Sequence, residues 1–272
     1  MSDRIRLGLR FDAAAMRGDL ARLAASDWVD HFVPRNYSGT WTVLPLRAPA
    51  RATHPIAMIY SDPGCDTFTD TPLLARCPAF QRALSAFECP LQAVRVMKLT
   101  PGSEIKPHSD LDLDVEHGRA RLHIVVATNP QVEFLLNGTR VRLDEGECWY
   151  LRLSDPHAVA NRGATDRIHL VVDAVVNPWL ETALARGDHG PAPRPVEGPA
   201  AAPADRRSDL ERFRDLVLRN ASLQRQLLEH DERGAFIAHA IETAAAAGFH
   251  VTAGEIETAM RDAGRRRREE RA

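Results

Sequence analysis

The tripeptide His108-Ser109-Asp110, followed later by His157 and Arg167, combines residue types that can hold a transition metal with one that can hold an anion beside it. Two imidazoles and one carboxylate are the protein half of a facial triad, which grips Fe(II) on one side and leaves its other positions open to oxygen and a cosubstrate. Alternate side chains of an extended strand share a face, so His108 and Asp110 can reach one ion while Ser109 points away. A helix does not suit an i, i+2 pair. The third ligand must come from a distant strand brought alongside, and Ser154-Asp155-Pro156 is a turn signal directly before His157. Arg167 meets a further need. An iron enzyme using 2-oxoglutarate requires a cation for the distal carboxylate, and guanidinium binds carboxylate bidentately and stays charged when buried. Taken singly, each residue has a duller reading: a histidine opening a strand is commonly a surface or capping residue, and Asp112 and Asp114 show that acids are frequent in this segment.

Such a site needs strands, and the period of two supplies them. Residues 121–126, 132–136, 139–143, 148–153 and 167–172 read as successive strands, with Asn137-Gly138 a hairpin turn and Asp144-Glu145-Gly146-Glu147 another. Short strands at regular spacing predict a mainly β fold, a sandwich or jelly roll, rather than a parallel α/β sheet. In the less patterned first hundred residues, 12–23 and 78–87 look helical and 56–60 reads as a strand. Arg121 and His123 alternate with Leu122 and Ile124, so they share one strand face. That face is either turned inward, where a charged ligand must satisfy it, or a solvated basic patch with Arg119; pattern alone leaves both open. His169, beside Leu170, reads as a satisfied core histidine or one that supports a ligand. Tyr37, Trp41 and Trp149 are candidates for the mouth of a site, with ordinary core packing as the alternative.

After Trp179-Leu180 the composition changes to a run rich in proline and alanine, which favours extended conformations and cannot pack a core; 183–207 is read as a linker. Beyond it Ser208 and Glu211 match a capping box, with Leu210, Phe213, Leu216 and Val217 at helical spacing, so a small C-terminal α-helical domain is expected over 208–272. The basic run 265–268 reads as a solvated helix end. The 272 residues, 44% hydrophobic, are enough for one sizeable domain and a smaller one. A net charge of −2 gives no reason to expect nucleic acid as partner. Cys65, Cys77, Cys89 and Cys148 form no CxxC pair, which argues against a zinc site or disulfide framework and for a reducing cytoplasm. No run has the length and apolarity of a signal peptide or membrane span.

The ordered set Leu99-Thr100-Pro101-Gly102, Ile105-Lys106-Pro107-His108-Ser109-Asp110, Arg119-Ala120-Arg121-Leu122-His123, Gly146-Glu147, His157-Ala158-Val159-Ala160-Asn161 and Arg167 to Asp173 resembles the aspartyl/asparaginyl β-hydroxylase family over roughly 37–180. The resemblance implies a double-stranded β-helix of cupin-like form, with N-terminal helices and a core at about 92–180, inside a dioxygenase domain of 1–182. It implies dependence on Fe(II), 2-oxoglutarate and O2, with His108, Asp110 and His157 as metal ligands and catalytic centre. Arg167 would clasp the cosubstrate, and Arg121 and His123 would contact cosubstrate or the opposite end of the site. Asp110 matches bacterial members; animal aspartyl hydroxylases lack a carboxylate there, which weakens transfer of their epidermal-growth-factor-like substrate. The expected activity is hydroxylation of an amino-acid side chain, aspartyl or asparaginyl in a peptide, with a free amino acid of proline type as the alternative.

The tail segments Asp209 to Phe213, Leu223 to Leu227, Ala244 to Phe249 and Val251 to Ile256 resemble the leader-peptide domain of nitrogen-fixation and nitrile-hydratase-like types, which implies a precursor of a ribosomal peptide natural product as partner. A generic three-helix appendage is the competing reading. The rival for the whole chain is a non-catalytic cupin-like binding module with a recognition tail, which Arg167 opposes because such a module has no use for a buried guanidinium.

Overall fold

The computed structural model describes residues 2–31, 36–52, 55–59, 65, 67–110, 114–189, 208–219, 227 and 233–259. The chain divides into two compact units, 1–198 and 199–272.

Two antiparallel sheets make up the first unit. The larger contains β1 (Arg4–Arg10), β2 (Val29–Asp30), β4 (Trp41–Pro49), β5 (Phe68–Asp70), β6 (Leu91–Leu99), β8 (Arg119–Ala127), β11 (Glu147–Leu151) and β13 (Arg167–Val175), in the order β1-β11-β8-β13-β6-β4-β2 with β5 against β4. The smaller contains β3 (Tyr37–Ser38), β7 (Glu104–His108), β9 (Val132–Leu136), β10 (Thr139–Val141) and β12 (His157–Asn161), in the order β10-β9-β12-β7-β3. Strand alternation sorts the side chains. Val43, Met97, Leu99, Val125 and Val171 of the larger sheet share one apolar cluster with Ile105, Phe134, Leu136 and Val159 of the smaller, so the sheets pack face to face. Their sequence neighbours Leu44, Val96, Leu122, Ile124, Leu170 and Val172 pack on the other side. There they meet Met16 of α1 (Ala13–Leu20), Leu74 of α3 (Pro72–Ala75), Phe80 of α4 (Pro78–Leu84) and Leu180 of α5 (Pro178–Ala185).

The larger sheet is therefore buried on both faces, and each fully buried Leu or Ile contributes about 1.5–3 kcal/mol. This layering decides the open question about β8. Arg121 and His123 are 8% and 4% exposed and face the smaller sheet, while Leu122 and Ile124 face the helices. Polar residues on this inward face are costly unless partnered, which marks the face as a site.

The helices start where capping chemistry directs. Asp12 accepts from the Ala15 N–H at 2.9 Å, and Asn177 accepts from the Leu180 N–H at 3.0 Å ahead of Pro178. Buried Asp19 reaches across to the first turn of α4, accepting from the Ala79 and Phe80 N–H groups at 2.6 and 3.3 Å. At the β9–β10 hairpin Asn137 and Gly138 have φ of 51° and 71°, as a type I′ turn requires.

One expectation is overturned. Pro55–Ile59 is a short helix, α2, not a strand, and Tyr60 lies outside the described residues. A five-residue apolar run carries too little periodicity to separate the two forms, and Pro55 at the first position favours the helix. In addition, α5 runs to Ala185, past the expected boundary at 182. The proline-rich stretch 190–207 and the basic run 265–268 lie outside the described residues.

In the second unit α6 (Asp209–Arg219), α7 (Arg233–Ala246) and a helix over 253–259 gather Phe213, Ile237, Ala244, Phe249 and Ile256 into a small core. Ser208 and Glu211 form the expected capping box, at 3.2 Å from the Glu211 N–H to Oγ and 2.8 Å from the Ser208 N–H to Oε2. Thr252 and Glu255 repeat it at 3.2 and 2.8 Å. No helix among the described residues is long and apolar enough to cross a membrane.

Candidate metal centre

Three donors converge at the open end of the smaller sheet. His108 ends β7, His157 opens β12, and the two are register partners with ring centroids 4.2 Å apart. Asp110 lies just past the strand, anchored by its N–H to the Leu153 carbonyl at 2.7 Å. One ligand atom each from His108, Asp110 and His157 lie within 4.8 Å of one another, close enough for a single ion to touch all three.

The local hydrogen bonds select the correct nitrogens. His108 Nδ1 is 2.8 Å from the Lys106 carbonyl and His157 Nδ1 is 3.1 Å from the Asp155 carbonyl. A carbonyl only accepts, so each Nδ1 carries the proton and each Nε2 presents a lone pair. Burial pushes His157 down to about 4, which keeps it in the neutral form that a metal needs.

Asp110 divides its oxygens. Oδ1 lies 3.6 Å from His108 Nε2, and Oδ2 accepts from Arg121 Nη1 at 2.6 Å. Arg121 grips Asp173 through Nε at 2.7 Å and Nη2 at 3.0 Å, and Asp173 also pairs with Arg95. Arg95 in turn donates to the Ile59 carbonyl at 2.9 Å. Burial alone would lower the pKa of Arg121, yet the Asp173 and Asp110 carboxylates raise it above its ordinary value.

Arg167 is in the opposite condition. It is 3% exposed, donates from Nη2 to His169 Nδ1 at 2.9 Å, and its Nε–H has no hydrogen-bond partner among the described residues. Burial pulls its pKa down to about 9, and no carboxylate among the described residues opposes that pull. A second unsatisfied atom, His123 Nε2, is also buried, while His123 Nδ1 lies 3.3 Å from His169 Nδ1. Burial and then Arg167 hold both His123 and His169 well below the ordinary histidine value. Phe134 lies between the two groups of residues. Its ring stacks with His157 at 6.4 Å, meets His123 edge-on at 6.2 Å and lies 5.9 Å from the Arg167 guanidinium carbon.

His31 stacks on Trp41 at 3.5 Å, with Tyr37 edge-on to Trp41 at 5.7 Å. Burial drives His31 down to about 3, with the charges of Arg95 and Asp110 acting on it in opposite directions. Trp149 turns instead to Glu147, donating its Nε1–H to Oε2 at 2.8 Å.

The structure thus brings His108, Asp110 and His157 together and puts Arg167, Arg121 and His123 on the facing sheet. Sequence reading missed Arg95, Asp173, Phe134 and His31. A usable signal existed for Arg95 and Asp173: each is a charged residue with an apolar neighbour on either side within a strand. Phe134 and His31 had none.

The donor set fits Fe(II), and the buried, unsatisfied Nε–H of Arg167 fits an anion such as a 2-oxoglutarate carboxylate. Residues 11–177 match the family model described as aspartyl/asparaginyl beta-hydroxylase. A curated relative, the L-proline cis-4-hydroxylase of Rhizobium meliloti (strain 1021), is 25% identical over 180 residues, covering 65% of this chain and 62% of the relative. The chain thus spans less than two thirds of that protein's length. Among solved structures, a Pseudomonas putida prolyl-4-hydroxylase is 13% identical, with a TM-score of 0.41 over 65% of this chain and 94% of that one. HygX from Streptomyces hygroscopicus, with nickel and 2-oxoglutarate bound, is 13% identical, with a TM-score of 0.40 over 65% and 84%.

Proposed function

The chain belongs to the aspartyl/asparaginyl β-hydroxylase family, and from that premise we propose that it is a 2-oxoglutarate-dependent, non-haem Fe(II) dioxygenase that hydroxylates an aliphatic carbon of an amino-acid side chain. The observation that carries this reading is Arg167, a buried cation with no carboxylate against it among the described residues, set on the sheet facing a His-Asp-His donor set. A binding module would gain nothing from it. The two face-packed antiparallel sheets support a jelly-roll core of the double-stranded β-helix kind for the dioxygenase domain.

In this reading His108 Nε2, an oxygen of Asp110 and His157 Nε2 hold Fe(II), and Arg167 receives the far carboxylate of 2-oxoglutarate, with neutral His123 beside it. Bound Fe(II) with 2-oxoglutarate and O2 supplies the oxidising power that places one oxygen atom in a C–H bond and the other in succinate, with carbon dioxide released. The chain's own residues bind, orient and exclude water. Neutral His157 needs to lose no proton before ligation, and the apolar wall of Phe134, Leu136 and Val159 dries the pocket.

Two substrate classes are in view. Peptidyl aspartate or asparagine follows from the family's description. A free amino acid of proline type is supported by the 25% identity to an L-proline hydroxylase. The helical tail, 208–272, would serve the first class as a handle for a peptide, such as a precursor of a ribosomal natural product. Purified protein with Fe(II), ascorbate and 2-oxoglutarate in air should form succinate together with a product one oxygen heavier. Turnover with peptide alone selects the first class, turnover with free proline the second, and no succinate with either would reject the enzyme reading.

A further inference from the structure

We propose that Arg121 is a positioning residue of the metal centre: it holds Asp110 Oδ2 so that Oδ1 alone faces the ion, and Asp173 with Arg95 holds Arg121 in place. This rests on the metal reading of His108, Asp110 and His157.

Asp110 needs such support because β7 has already ended at His108, so no strand ladder fixes its side chain. A free carboxylate can take a metal through one oxygen or both. The second mode fills a coordination position that a chelating cosubstrate or O2 requires. Arg121 removes that choice by binding Oδ2 at 2.6 Å, while Oδ1 stays on the side of His108 Nε2 at 3.6 Å. Arg121 is itself fixed. It is the register partner of Asp173 across β8 and β13, and a planar fork held at Nε and Nη2 cannot swing its remaining nitrogen away. Asp173 takes a second cation from Arg95, whose other nitrogen is tied to the Ile59 carbonyl at 2.9 Å. Two guanidinium groups and two carboxylates thus alternate from the metal ligand into the protein with no net charge.

Coulomb's law and orientation predict opposite outcomes, which makes the proposal decidable. Removing a cation near a divalent ion should tighten ion binding by charge alone. Losing the group that orients a ligand should weaken it, by about 10- to 100-fold in comparable centres. The experiment measures the Co(II) dissociation constant of the full chain, by visible absorption, without 2-oxoglutarate. Arg121→Met is expected to weaken Co(II) binding by about tenfold or more, and Arg121→Lys, which keeps one donor, by less. In an Asp110→Ala background Arg121→Met should have no weakening effect, because the group it acts through is gone.

Unchanged or tighter binding in Arg121→Met overturns the proposal, as does equal weakening with and without Asp110. So does an unchanged Co(II) constant accompanied by weaker 2-oxoglutarate binding, which would make Arg121 a direct cosubstrate contact. Should Arg121→Met not fold, Asp173→Asn keeps the ladder's shape and tests the same route, with weakening again confined to the Asp110-containing protein. If His108→Ala binds Co(II) as well as wild type, the metal centre is misassigned and both readings fall; if His108→Ala loses Co(II) and Arg121→Met does not, only this one does.

Discussion

Arg167→Met should move stability and cosubstrate binding in opposite directions. The guanidinium is buried, its hydrogen bond to His169 is its polar contact among the described residues, and Phe134 packs beneath it. Burial pulls its pKa well down, to about 9, and at about 1.4 kcal/mol per pH unit this sets a ceiling of about 5 kcal/mol on what the charge subtracts from folding stability. Loss of the bond to His169 offsets about 1.5–3 kcal/mol of the gain. Met is of similar length and fills the space. The metal-free variant is therefore expected to be about 2 kcal/mol more stable than wild type at pH 7, a balance of the two preceding figures. The sign follows from the folded pKa being depressed. At neutral pH the group is charged in both states, so the whole penalty is present; it shrinks only as pH rises past about 9, outside the neutral range in which the guanidinium stays charged. Cosubstrate binding should fall by about 3 kcal/mol, on the order of a hundredfold in Kd, since a buried carboxylate would lose its charged partner. Urea unfolding of the metal-free proteins reads the first effect, and anaerobic titration of 2-oxoglutarate into the Fe(II) protein, followed by its visible band, reads the second. A destabilised variant that binds 2-oxoglutarate as tightly as wild type would refute the reasoning.

Phe134→Ala removes a buried ring lying between His157 and Arg167, and should cost about 3–5 kcal/mol in urea unfolding and weaken 2-oxoglutarate as well. Gly138→Val forces a β-branched residue to φ of 71° at the hairpin tip, and is expected to lower stability by about 1–3 kcal/mol, seen as a lower Tm, with Co(II) affinity unchanged. Asp19→Ala strips the cap from α4 and leaves the Ala79 and Phe80 N–H groups unmet in the core, a loss of about 1–3 kcal/mol by urea unfolding. Thr252→Ala breaks the capping box of the last helix, and should lower the unfolding stability of the second unit by about 1 kcal/mol while leaving Co(II) binding at wild-type strength.

The readable parts of the sequence were those where one residue type answers one local demand. Asn137-Gly138 announced its turn through the φ > 0 it tolerates, and Ser208-Glu211 announced its cap. The convergence of His108, Asp110 and His157, with Arg167 on the facing sheet, was legible because few arrangements bring those groups to those places. The edge of that legibility is also physical. The alternation in β8 looked like an inside and an outside, but helices cover the second face, so pattern could not say whether Arg121 met solvent or ligand. The segment 55–59 was too short to show a period. Arg95 and Asp173 are far apart in sequence and become partners only when β6 and β13 pair, a fact that resides in register rather than in either strand.

His108 and His157 sit on the smaller sheet, while Arg167, His123 and Arg121 project from the larger one. Loading the centre would therefore rivet the two halves of the sandwich, with ion and keto acid spanning the seam from opposite sides. Occupancy then becomes a mechanical variable: the filled protein should resist shear between its sheets far better than the empty one, and its melting point should climb with ligand concentration as mass action dictates.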